Sequence, residues 1–391
     1  MRVYLDHASA WPLRTDARRA HDDASAVAWA DPSRRHTEGR QARDVFERAT
    51  VTAAELLGAP DHGIVWTASG TESIHLAVLG TARSAIRRGD PRRHLVTCAV
   101  EHSAVLMALQ RLRDEHGFDL TIVPVDASGT VDAAVMIDAL RDDTLSVHLQ
   151  HANHEVGALQ PTHEVGSACR ERGILLHVDA CQTVGQLGVT LEQLGADLLS
   201  ASAVKFGGPS GVGLLAAAPQ VSIAPLLEGD DRQRRRRSGR EDVPGVAAAA
   251  VALQAAVEAM PTERSARELV RRHLRQELPR AIEDLELHGP LADAHPGIVA
   301  CSALYVDGEA LVVALDEAGF AVHSGSSCAT ATGEPSHVLV AMGALTHGHV
   351  RVSVGPTTTI DDADRFIESM AAAVAELRAH SRRRMRGGTS T

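Results

Sequence analysis

Lysine is almost absent from this chain. One lysine, Lys205, stands among 391 residues, and taking it from the 39 Lys+Arg leaves 38 arginines. A codon bias toward Arg, Ala and Asp accounts for the scarcity, but not for where the remaining lysine sits. Aromatic residues are 3% of the chain, which leaves few rings for stacking nucleic-acid bases. A net charge of −11 likewise argues against a general polyanion binder, so nucleic-acid contact is not expected. No apolar run approaches the roughly 18 residues of a membrane span, and the opening MRVYLDHASAWPL lacks a signal peptide's apolar stretch. Cys98, Cys169, Cys181, Cys301 and Cys328 form no CxxC pair, which speaks against a zinc cage, and no metal is expected. An odd number of cysteines without an export signal reads as reduced cytoplasmic thiols, one of them free to react.

What is present is an ordinary globular composition, 44% hydrophobic and 23% charged, long enough for one large or two medium domains. From about residue 60 to 220, short apolar runs alternate with helical periodicity. Candidate strands are Gly63–Thr67, His94–Ala99, Leu120–Val125, Leu145–Gln150, Ile174–Asp179, Leu198–Ser202 and Val212–Ala217. Candidate helices include Glu72–Arg87, Ala104–Glu115, Val131–Leu140 and His163–Arg172. That alternation implies a largely parallel sheet covered on both faces, with ligands at the carboxyl ends of its strands. Residues 221–245, with Arg232 and Arg234 to Arg237, read as an exposed loop. Two long helices are expected next, Val246 to Met260 and onward to about Leu285, then a second, smaller domain and a frayed basic tail from Ser381.

Four segments can carry chemistry. Asp179 ends an apolar strand, where a carboxylate can pair with a pyridinium nitrogen, or simply cap the next helix. Lys205 lies at the end of another strand, between Val204 and Phe206, where desolvation would favour imine formation; a solvated surface lysine fits those neighbours poorly. Thr67 to Ser73 forms a small-residue turn ahead of a helix, placing Gly70 and Thr71 for phosphate, though such turns are also common caps. Cys328 lies in a Ser/Gly/Thr-rich loop, a setting suited to a nucleophile, whereas structural thiols usually sit in apolar elements, as Cys301 does here.

Together these segments resemble the cysteine desulfurases, and the agreement runs nearly end to end. Tyr4-Leu-Asp-His-Ala8 with Pro12 resembles the family's opening. Asp31-Pro-Ser33, His36 and Gly39 to Arg43 are similar to its "NPSSxHxxGRxAR" stretch, and Glu101-His102 to its "EH". Asn153-His-Glu-Val-Gly157, Arg237-Ser-Gly239 with Val243-Pro-Gly245, and Val350-Arg351-Val-Ser353 are similar to "NNExG", "RSGTxNxPG" and "xRxS".

The resemblance implies an α/β, aspartate aminotransferase-like fold of pyridoxal 5'-phosphate (PLP) enzymes. A large domain over residues 15–250 would hold a mostly parallel seven-stranded sheet. Residues 1–14 and 251–391 would form a smaller α+β domain carrying the cysteine loop, about 322–336, of the longer housekeeping type. It implies a homodimer that converts L-cysteine to L-alanine and passes sulfur from Cys328 to an acceptor protein. Lys205 would bond to the cofactor and move protons, Asp179 hold its ring nitrogen, Gln182 its phenolic oxygen, and His102 stack on the ring. Gly70, Thr71 and Ser202 would hold the phosphate. Asn153 and Arg351 would orient the substrate, Arg351 gripping its carboxylate as a bidentate fork.

The chain departs from the family pattern at several positions. Val204 replaces the usual His before the lysine, and Arg240 the usual Thr after "RSG". Both lost residues are phosphate contacts in relatives, and Arg240 from a partner subunit could replace them with a charge-assisted pair, or simply join the solvated arginine run. His154 and Cys181 stand where Asn and Ala are usual. The competing readings are a PLP-dependent C–S lyase or aminotransferase of the same fold, and a non-catalytic interaction protein using the arginine run and basic tail.

Overall fold

The computed structural model describes residues 2–324 and 335–387. Seven strands form the central sheet: β1 (Ile64–Thr67), β2 (His94–Cys98), β3 (Asp119–Val123), β4 (Thr144–Gln150), β5 (Leu175–Asp179), β6 (Leu198–Ser202) and β7 (Gly213–Ala217). Their spatial order is β1-β7-β6-β5-β4-β2-β3. Only β7 runs against the rest, antiparallel to both β1 and β6. Helices cover both faces, so the inner strands can be apolar throughout; all seven residues of β4 are buried.

The polar residues in that core satisfy one another. Ser146 Oγ meets His148 Nε2 at 2.9 Å, His148 Nδ1 meets His177 Nδ1 at 3.2 Å, and His177 Nε2 meets Ser200 Oγ at 2.9 Å. This row threads β4, β5 and β6 just behind the strand ends that carry Gln150, Asp179 and Ser202.

A smaller antiparallel sheet has Ile298–Ala303 between Leu285–His288 and His349–Ser353. Val3–Tyr4 pairs in parallel with Phe320–Ala321, and Asp6 bridges to Ser353. The chain then crosses to the large sheet, where the Trp11 N–H donates to the Val204 carbonyl at 2.8 Å.

One element serves both cores. The expected pair of helices after residue 245 is a single helix, Val243–Ala281, with Pro261 inside it. Proline removes one backbone hydrogen bond, and burial on either side of it holds the helix together. Val246 to Ala256 pack into the large core, while Val270, Leu274 and Leu278 pack into the small one. A division near residue 250 thus falls within this helix. By length and composition the helix could cross a membrane, but half of its most apolar window is buried inside the protein, as in a core helix.

The 221–245 segment also differs from a solvated loop. Arg232 is ion-paired with Asp31 at 2.8 Å, Asp230 at 2.8 Å and Glu241 at 2.6 Å. Gln233 both donates to and accepts from the backbone of Trp66, like an added strand. Gln233, Arg234 and Arg235 take positive φ of 44°, 59° and 62° to make the tight turn, a strained geometry that these pairings hold in place.

Candidate active site

The carboxyl ends of β5 and β6, the start of the Gly70–Arg87 helix and the crossing segment enclose a cleft of about 280 Å³. Lys205, Asp179, His102, Gln182, Gly70, Thr71, Ser202, Val204, His154, Cys181 and Arg351 all line it. Residues spread over nearly 300 positions therefore meet in one place.

Lys205 ends a short 3-10 turn, Ala203–Lys205, directly after β6. Its Nζ donates to the Ala8 carbonyl. Burial lowers its pKa to about 8, and the Arg351 guanidinium pushes the same way. Among the described residues the cleft therefore holds an amine far easier to deprotonate than an ordinary lysine.

Asp179 ends β5, and its Oδ1 accepts the Cys181 N–H at 3.0 Å, so the same carboxylate also caps the following turn. Gln182 donates Nε2 to the Ala8 carbonyl at 2.8 Å, while its Oε1 is buried with no partner among the described residues. His102 is the N-cap of the Ser103–His116 helix, its Nδ1 accepting the Ala104 N–H at 3.1 Å. In the neutral ring that leaves the proton on Nε2. Burial lowers the pKa of His102, with Asp179 opposing.

The phosphate end is a helix start. Ser69 caps it by accepting the Glu72 N–H at 3.1 Å, and Glu72 reaches back to the Ala68 N–H at 2.7 Å. The first-turn N–H groups of Gly70 and Thr71 have no acceptor within their own helix and suit an anion. A Cβ at Gly70 would meet Cys181 Sγ at 2.8 Å and Ser202 Cβ at 3.1 Å, so only glycine lets the helix start so close to β6. Arg237 binds the other oxygen of Glu72 at 3.1 Å, tying the arginine turn to this helix.

Arg351 lies on the small sheet. Its Nη2 donates to Asp6 Oδ1 at 2.7 Å and Ser9 Oγ at 2.9 Å, its Nη1 to the His154 carbonyl at 3.0 Å, and its buried Nε has no partner among the described residues. Asn153 sits behind the wall. Its Nδ2 donates to the Val100 carbonyl at 3.0 Å and its Oδ1 accepts the Glu155 and Val156 N–H groups at 2.8 and 2.9 Å. It is fully buried and shapes the turn that presents His154 to the cleft. Arg240 is exposed and donates to the Trp29 carbonyl, outside its own chain's cleft. Cys328 lies outside the described residues. The segment after it is anchored by Ser336, which donates to the buried Glu155 at 2.6 Å, and by His337 on the Glu101 carbonyl at 2.9 Å.

Sequence reasoning did not single out Ala8, Ser9 or Asp6, whose signal was the opening Tyr4-Leu-Asp-His-Ala8 motif. It noted His154 only as a departure; the ring stands edge-on to His102 at 5.2 Å between centroids. A wider concavity of 760 Å³, bordered by Arg34, Arg43, Glu47 and Arg232, has no His, Lys or Cys among its described lining.

A strand-end lysine, a strand-end aspartate and a glycine-started helix around one cleft define a PLP-binding α/β enzyme, and residues 3–366 match the aminotransferase class-V family model. The chain belongs to that family, and PLP is its cofactor. It is 36% identical over 379 residues to the cysteine desulfurase IscS of Dictyoglomus turgidum, covering 96% of this chain and 95% of that one. Among solved structures, a NifS-like protein superposes with a TM-score of 0.88 at 30% identity, covering 96% of this chain and all of the other. A structure described as SspA in complex with cysteine gives 0.78 at 26% identity, over 91% of this chain and 99% of that one.

Proposed function

We propose that this enzyme is an L-cysteine desulfurase that moves sulfur from L-cysteine to Cys328. The observation that carries the reading is the convergence of Lys205, Asp179, His102 and Arg351 on one small cleft. Relatives named cysteine desulfurase and a cysteine-bound structural neighbour support it.

The cleft fits PLP. Gly70, Thr71 and Ser202 would hold the phosphate, Asp179 the ring nitrogen and Gln182 the phenolic oxygen, with His102 covering the ring. When bound, PLP supplies an electron sink beside the substrate Cα. Lys205, with its lowered pKa, takes and returns the proton at Cα. Arg351 receives the substrate carboxylate, which competes with Asp6 for the guanidinium. The Cys328 thiolate attacks the substrate sulfur: an S–S bond forms, the Cβ–S bond breaks with its electron pair going to carbon, and protonation there gives L-alanine. The net change is L-cysteine plus the Cys328 thiol to L-alanine plus the Cys328 persulfide. An acceptor protein then removes the outer sulfur, in the reducing cytoplasm.

The active unit on this reading is a homodimer, in which Arg240, exposed and outside its own chain's cleft, would reach the partner's. Replacing Cys328 with Ala tests the reaction. The variant should keep bound-cofactor absorbance and lose alanine formation from L-cysteine; alanine released at the parent rate would overturn the reading, and a lyase or aminotransferase would then account for the cleft.

A further inference from the structure

Four successive carbonyls around the cleft lysine are each held by a donor. Val204 O accepts from the Trp11 N–H at 2.8 Å, Phe206 O from Arg14 Nε at 3.1 Å and Gly207 O from the Arg14 N–H at 2.9 Å. The carbonyl of Lys205 itself is held from a different part of the chain: where the other three accept from Trp11 or Arg14, it accepts from Gln186, whose Nε2 lies 2.9 Å away. Gln186 is in turn gripped by Arg267 of the Val243–Ala281 helix, Nη1 donating to Oε1 at 2.6 Å and Nη2 to the Gln186 carbonyl at 3.4 Å.

Arg267 is 1% exposed and hydrogen-bonds no carboxylate among the described residues. Its guanidinium lies over the Trp11 ring at 5.3 Å, with Arg14 against the same ring at 5.8 Å and paired to Glu263 at 3.0 Å. A buried, weakly paired guanidinium costs stability, and a methionine would fill the space more cheaply. What a methionine could not do is choose the orientation of an amide. A glutamine has an oxygen end and a nitrogen end of nearly equal shape. A cationic donor holds the oxygen toward itself, and so turns the NH₂ toward the Lys205 carbonyl.

We infer that Gln186, oriented by Arg267, is a positioning residue for Lys205, holding its backbone so that the amine is aimed into the cleft. With the grip released, the amide can reverse and set its oxygen against the carbonyl of Lys205. The helix that joins the two cores thereby reaches the reacting lysine through one side chain.

The inference rests on Lys205 being the cofactor lysine, and the two can fail separately. If Lys205→Ala retains a covalently bound cofactor, that reading is lost; if Lys205→Ala loses it while the Gln186 variants behave as the parent, only the clamp is lost. The deciding variant is Gln186→Glu, which keeps an acceptor for Arg267 but has no N–H for the lysine carbonyl. Holoenzyme should melt close to the parent, while the pH midpoint of its cofactor absorbance moves. Its kcat for L-cysteine should drop on the order of tenfold to a hundredfold, as expected of a misplaced reacting group, with KM changed less than about twofold. Should that variant not fold, Arg267→Lys and Arg267→Met decide. Lysine, still a cationic donor, should restore the midpoint that methionine shifts. Midpoints equal to the parent's in all folded variants, with only the melting temperature lowered, would show that the pair merely fills space.

Discussion

At the residue scale, the lone lysine gains its meaning from its surroundings. An ordinary lysine titrates near 10.4, so its free amine would keep increasing with pH up to that value. Burial brings Lys205 to about 8, with Arg351 adding to the effect. The rate at which apoprotein couples to added PLP should therefore rise about tenfold per pH unit below 8 and level off above it. Stopped-flow absorbance between pH 6 and 10 would check this, and a rise continuing to pH 10 would mean that the amine is solvated. The position of Lys205 was legible in the sequence because a charged residue sat between two apolar ones at a strand end. The acceptor at Ala8 and the donors at Gln186 and Arg267 were not, because each is a contact between residues far apart in sequence.

At the element scale, the start of the Gly70–Arg87 helix decides how well phosphate is held. Its cap and free N–H groups follow from local sequence, Ser69 to Glu72 forming a capping box that any reader can find. The need for glycine does not follow locally: it comes from Cys181 and Ser202 across the gap. Gly70→Ala should push the helix back and weaken PLP binding by about 1–3 kcal/mol, the usual range for overpacking. Removing the Cys181 sulfur in the Gly70→Ala, Cys181→Ala double variant should recover part of the loss, measured by cofactor titration of apoprotein. Losses that simply add would show that the two side chains do not meet. The arginine turn teaches the same lesson in reverse. Its charge density reads as solvated, yet Asp31, Glu241 and Glu72 lie close enough to neutralise it.

At the scale of the whole molecule, buried titratable groups set the response to acid. Burial lowers His148, His295 and His349 to about 3. Each binds fewer protons folded than unfolded between pH 3 and 6.5, so the stability they contribute is present above 6.5 and is lost as pH falls through that window. Glu155 and Glu101, raised to about 7 and about 8 by burial, act oppositely, favouring the fold at the acid side of those values. Below pH 6.5 the imidazoles outweigh the two carboxyls, each contributing up to about 1.4 kcal/mol per pH unit. Denaturant midpoints should fall steadily from pH 6.5 to 5, and a flat profile would show that these rings are hydrated. His148 also meets His177, which in turn meets Ser200, across β4, β5 and β6, so acid should loosen the sheet behind the cleft.

The sequence by itself determined the alternation of strands and helices, the seven strands to within a few residues, and the segments that end in Lys205, Asp179 and Gly70. Apolar periodicity, small-residue turns and strand-end polar residues are local properties, and they are written in neighbouring positions. Only the tertiary structure decided that Asn153 holds a turn behind the cleft, that one helix spans both cores, and that Arg351 faces Asp6. Those facts depend on which distant groups arrive within hydrogen-bonding reach. An amide or a guanidinium shows its type in the sequence, but its partner is chosen by packing, which brings residues 6, 186, 267 and 351 around a lysine at 205.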